Sequence, residues 1–232
     1  MVPLSSGCKT VAVMQPYFFP YAGYFRLLAA SDIFVIFDCV QFPRRGRVHR
    51  CWVEGPSGKF EWLTLPLQMQ PRDVLIRDLE FARDARGMFD RRLNRLPWIA
   101  SSTGPNAEQI RDYLHAPLVS VVDYLETGIR LVASLLDLEA RIIRSSSLGI
   151  RTSYAGQERV IAIASALGAS HYVNAPGGRM LYEPRRFREA GMELRFLQMY
   201  DGAYPNLLRS LMTERAPDVR SDVFEQSVLE LF

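Results

Sequence analysis

The chain has 232 residues, 48% of them hydrophobic and 23% charged, with a formal net charge of +3. That length and apolar share support a buried core and exclude a disordered or low-complexity chain. No apolar run approaches the ~20 residues of a membrane-spanning helix, so no membrane insertion is expected.

Residues 1–10, MVPLSSGCKT, are too short and polar before the first strand for a signal peptide, and the expectation is a cytoplasmic protein. Residues 10–14 (TVAVM) read as a strand. A loop rich in aromatics follows, MQPYFFPYAGYF, in which Pro16 and Pro20 exclude both a central strand and a helix interior. AGYFRLLAASD has helical spacing, and DIFVIFD at 32–38 reads as a buried strand, giving a parallel β-α-β start. CWVEGPSGKFEWLTLPL reads as a hairpin around GPSG, appended to the sheet as an edge. Residues 83–98 and 105–141 read as mainly helical, with Pro117 in a first helical turn. ARIIRSSS, SHYVNA and MELRFLQM supply three further strands, with a helix QERVIAIASALGA stopped at Gly168 and a shorter one stopped at Gly191. From Asp218 onward the tail reads as a docked helix.

The predicted fold class is therefore α/β: a three-layer domain with a mixed, mainly parallel sheet, an appended β-hairpin and a helical insertion or cap over about 83–141 within one domain. In such sheets, ligands collect beyond the carboxyl ends of the strands. Four segments would converge there: QPYFFPYAGY, DCVQF, RSSS and NAPGGR.

The candidate residues each have a structural reading beside the functional one. The phenylalanines of the loop read as core. Gln15 and Tyr24 serve equally well as loop fixers and as ligand contacts, since a polar group among aromatics needs a partner. Tyr17 joins them as wall. Asp38 ends an apolar strand, where a carboxyl is costly unless paired or functional. Gln41 follows it on the same rim. His49 has a titratable imidazole inside RRGRVHR, residues 44–50, the densest basic segment; this run is shorter and less basic than a nucleic-acid-binding arm. Asn174, Gly177 and Gly178 form a turn to which a ligand can come close. The three cysteines and three histidines are scattered, which predicts no metal site and a reducing compartment. A Cys51–His49 nucleophile is a weaker candidate, and Cys39 reads as packing.

QPYFFPYAGYF, SDIFVIFDCVQF, HRCWVEGPSGKFEWLTLPL and GQERVIAIASALGASHYVNAPGG together resemble the WbqC-like protein family, over most of residues 10–205. The chain departs from that pattern where His49 and Cys51 replace the asparagines flanking Arg50, and in its closing segment. The resemblance implies a biosynthetic enzyme of surface polysaccharides, O-antigen among them, or of specialised metabolites. It further implies transfer of an acyl or aminoacyl group to a small amine, with aminoacyl-tRNA as one conceivable donor. On that basis Asp38 or His49 is the candidate base, Gln15 and Gln41 orient the acyl carbonyl, and Arg50 holds a carboxylate or phosphate. The rivals are an adenylating or nucleotidyl-transferring enzyme using ATP or another nucleotide, and a non-catalytic scaffold.

Overall fold

The computed structural model describes residues 8–213 and 216–231. Its strands are β1 (Thr10–Met14), β2 (Ile33–Ile36), β3 (Arg50–Glu54), β4 (Phe60–Thr64), β5 (Arg141–Arg144), β6 (His171–Asn174), β7 (Glu193–Leu197) and β8 (Leu229–Leu231). Its helices are α1 (Ala22–Ala29), α2 (Ala85–Leu93), α3 (Pro97–Ser101), α4 (Ala107–His115), α5 (Val121–Leu135), α6 (Gly156–Ala166), α7 (Pro184–Glu189), α8 (Leu207–Thr213) and α9 (Ala216–Glu225).

Six strands form one sheet in the order β5-β2-β1-β6-β7-β8. The first five are parallel neighbours, and β8 pairs antiparallel with β7. Side chains alternate across it, as a strand's period of two requires. Val11, Val13, Ile33, Val35 and Tyr172 bury against α6 and α7 through Val160, Ile163 and Phe187. Ala12, Phe34, Ile36 and Val173 point the other way, into a larger core shared with α1, α5, α8 and α9. This is the three-layer, mainly parallel α/β arrangement that the alternation of elements predicts.

Three details differ from the sequence reading. The hairpin β3–β4 is a two-stranded sheet of its own rather than an edge of the main one; the mixed character comes from β8. The tail is not helix throughout: α9 ends at Glu225 and the chain turns back to add β8, because β7 still has a free ladder edge. Pro117 lies in the connection between α4 and α5, and α5 instead starts after Ser120, whose Oγ accepts from the Asp123 N–H at 3.4 Å. The glycine stops are as expected: Gly168 and Gly191 take φ of 69° and 76°, where a side chain would be strained.

The aromatic loop is pinned from both sides. The Phe18 N–H donates to the carbonyls of Arg47 and Val48, each at 3.1 Å, and its ring packs on Phe89 at 5.9 Å. Phe19 is held at φ 42°, a costly value for an aromatic residue, while 97% buried beside Tyr113 (3% exposed). Those two rings anchor the loop and leave Gln15, Tyr17 and Tyr21 free to shape what lies beyond β1. Buried Arg26 ties the tail to α1, donating to the carbonyls of Gln226 at 2.6 Å and Gln198 at 2.8 Å.

Candidate functional site

β1 hands the chain to α1 on one face of the sheet, whereas its neighbour β6 leads to α7 on the other. The loops beyond these two strands diverge, and a crevice must open between them. A cleft of about 690 Å³ occupies that switch point. Gln15 and Tyr17 reach it from the end of β1, Tyr24 from α1, and Asn174, Gly177 and Gly178 from the end of β6. Gly156 and Gln157, which open α6, complete the wall, and Leu181 and Met199 stand at its margin.

The wall is largely apolar and aromatic. Rings of Tyr17 and Tyr24 lie 5.4 Å apart, and the Tyr24 hydroxyl donates to the Gln15 carbonyl at 3.0 Å. Burial pushes both phenols up, Tyr24 well above its ordinary value, so they stay neutral donors at physiological pH. Asn174 Oδ1 accepts from the Ala175 N–H at 2.8 Å, fixing the start of the Pro176–Gly178 turn. A Cβ on Gly178 would sit 2.5 Å from Asn174 Nδ2, whereas one on Gly177 would meet nothing within 4 Å. The second glycine is therefore the one the geometry needs. The side-chain amide of Gln15 makes no hydrogen bond with the described residues, and the N-cap residue of α6, Ala155, provides no side-chain acceptor. Both leave polar groups turned to the cleft.

The structure thus brings together Gln15, Tyr17, Tyr24, Asn174 and Gly177, and places Asp38, Gln41, His49 and Arg50 outside the cleft. Asp38 is fully buried: its carboxyl accepts from Ser145 Oγ at 2.8 Å, Ser146 N at 2.9 Å and Ser146 Oγ at 2.5 Å. RSSS and DCVQF do meet, but they close on each other instead of on a ligand. Gln41 is exposed and donates to the Arg72 carbonyl at 2.7 Å. Gln157, Tyr182 and Met199 join the cleft unpredicted as site residues. GQER at the start of a helix is a signal for the first; nothing local marks Met199, which arrives from beyond β7. Among the described residues no group of three His, Cys, Asp or Glu side chains is placed to hold a metal ion. No described helix is long and apolar enough to cross a membrane.

A family model for the WbqC-like protein family matches residues 15–210, a span that holds the aromatic loop from Gln15 onward and both glycines of the β6 turn. The chain belongs to the WbqC-like protein family. The uncharacterized protein Rv1507c of Mycobacterium tuberculosis (strain ATCC 25618 / H37Rv) is 28% identical over 212 residues, covering 84% of each chain. No solved structure matches. Membership in the WbqC-like family points to a role in biosynthesis.

The two substituted positions beside Arg50, His49 and Cys51, lie at the hairpin of this WbqC-like chain, away from the cleft. The His49 ring packs edge-on against Phe42 at 5.1 Å, with Nδ1 buried and unpartnered. Burial, aided by the charges of Arg50 and Arg92, lowers its pKa from 6.5 to about 4. A neutral, enclosed imidazole is poorly suited to move protons near neutral pH. Cys51 is buried in the same layer and burial pushes its thiol up, which disfavours the thiolate a nucleophile needs. Arg50 donates to the carbonyls of Gly46 (3.0 Å) and Arg45 and stacks over Trp62 at 4.2 Å.

Proposed function

We propose that this protein is a biosynthetic transferase that joins an acyl or aminoacyl group to a small amine within the switch-point cleft. The observation that carries the reading is the Gln15 amide: unpaired among the described residues and set in an apolar, aromatic wall at the mouth of β1. In the proposed step the amine nitrogen attacks the acyl carbonyl carbon, the bond to the donor's leaving group breaks, and the amine proton leaves with that group or to water. Gln15 donates to the carbonyl oxygen as it gains charge, a contribution that a donor makes best where water is excluded. Tyr17 and Tyr24 enclose the acyl portion, while Leu181 and Met199, 69% and 75% exposed, offer apolar contact at the entrance. The uncapped first turn of α6 suits a carboxylate or phosphate on the donor. Positioning in this scheme takes the place of a resident base, since among the described residues no carboxyl or imidazole lines the cleft.

That same helix start, facing the Pro176–Gly178 turn, favours a second reading, in which the cleft binds ATP or another nucleotide and the reaction is adenylation or nucleotidyl transfer. The test is incubation of the protein with panels of acyl and aminoacyl donors and small amines, with amide product read by mass. Amide formation lost in Gln15→Ala supports transfer. ATP consumption with release of AMP or pyrophosphate, and no amide in any pairing, supports the second reading and overturns the first.

A further inference from the structure

Tyr21 lines the cleft and also borders a second depression, an open groove of about 520 Å³ walled by Arg47, Trp52, Phe60, Tyr200 and Pro205. Its rings come from the loop after β1, both strands of the hairpin and the segment after β7, so no single stretch of sequence announces it. Trp52 and Phe60 keep 36% and 56% of their surface exposed, a costly state for two large rings side by side unless something covers them. Two guanidiniums accompany them. Arg47 stands 5.6 Å over the Tyr21 ring and 5.7 Å over Trp62, and Arg50, outside the groove's lining, lies 4.2 Å over the same Trp62 ring, which stacks on Trp52. Neither has a carboxylate within ion-pair distance among the described residues. No acid is among the groove's lining residues, and two acids next to them are engaged elsewhere: Glu54, paired across the hairpin with Phe60, holds Arg209, and Asp222 accepts from the Tyr200 hydroxyl at 2.6 Å.

Open aromatic faces beside uncompensated arginines match a ligand that alternates flat rings with phosphates. An acidic peptide would use the arginines and leave the rings uncovered. We propose that this groove binds single-stranded nucleic acid, with bases stacked on Trp52 and Phe60, a backbone phosphate on Arg47 and the charge of Arg50 at its margin. The basic segment 44–50 is too short to do this alone; folding supplies the missing half by setting the hairpin's rings beside it. Because Tyr21 borders both depressions, a strand end crossing it would deliver a group carried there to Gln15. That last extension rests on the transfer reading, whereas strand binding itself does not.

The experiment is fluorescence anisotropy of the full chain with a labelled, unstructured oligonucleotide of about six nucleotides, at two salt concentrations. Trp52→Ala and Phe60→Ala should each weaken binding roughly 5- to 150-fold, the span of one lost stacking contact. Arg47→Gln should weaken it and flatten the salt dependence, and Arg47→Lys should restore the dependence. Gln15→Ala and the remote Arg185→Gln should leave the affinity unchanged. Binding insensitive to Trp52 and Phe60, or no binding above that of a protein of similar charge, would overturn the proposal. So would loss on Gln15→Ala, which would move the strand into the cleft, and so would displacement by AMP as effective as by the oligonucleotide. None of these readings depends on turnover, so amide formation can fail while the groove stands, and the reverse.

Discussion

The rim of the sheet has two corners built from similar materials with opposite results. At the β2–β5 corner a carboxyl and two serines meet, and every polar group finds another: Asp38 takes three hydrogen bonds and disappears from solvent. At the β1–β6 corner the strands are also adjacent and parallel, yet Gln15 and Asn174 make no hydrogen bond to each other among the described residues, and the polar side chains there keep unused capacity. Whether the polar groups that follow two neighbouring strands reach each other, not residue type, decides which corner closes. A closed polar network contributes stability and offers a ligand nothing; an open one does the reverse.

The largest expected effect tests the open corner. Gln15→Ala should lower transfer by about 10²–10³-fold, the cost of removing one donor from a developing oxyanion, while the melting temperature stays within about 1 °C. A matched rate for variant and parent would sink its assigned role. The closed corner should behave oppositely under Asp38→Asn, which turns one of the two acceptor oxygens into a donor and mismatches it with a serine donor of this corner. Stability should fall by about 1–3 kcal/mol, with activity tracking the folded fraction. An intact melting curve together with a turnover loss of about 10²–10⁴-fold would instead make Asp38 a base and erase the contrast.

The adjacent glycines of the β6 turn sharpen the comparison further. Gly178→Ala places a methyl 2.5 Å from Asn174 Nδ2 and should displace that amide, weakening ligand binding by about tenfold. Gly177→Ala meets open space and should be near neutral. Equal responses from the two, read by calorimetry with the ligand in hand, would show that the turn's shape does not govern the cleft. The smallest effect at neutral pH concerns His49. Its folded pKa, about 4, lies below the unfolded 6.5, so the folded chain binds fewer protons between those values. The stability it contributes is present above pH 6.5 and is lost as pH falls toward 4. His49→Phe should flatten that acid limb in urea titrations. A pH profile of stability identical to the parent's would show that the imidazole is solvated.

The sequence alone determined the strand and helix order, because period-two and period-3.6 apolar patterns are local and the stops at Gly168 and Gly191 are set by backbone sterics. It also indicated that the phenylalanines of the first loop belong to the core, and it offered Gln15, Tyr24, Asp38, Gln41 and Arg50 as candidates for one cavity, with Asn174 and Gly177 opposite. Only the tertiary structure decided that Asp38 turns to serines more than a hundred residues away rather than to an arginine of 44–50 or to a ligand. A carboxyl at a strand end looks the same in sequence whichever partner it finds. His49 and Arg50 were drawn toward the site by their chemistry and by the family resemblance. The hairpin folds into its own small sheet and carries them to another surface. The switch point itself is a property of crossovers: it exists because α1 and α7 leave adjacent strands on opposite faces, and a crossover's face is chosen by long-range packing that no local pattern encodes.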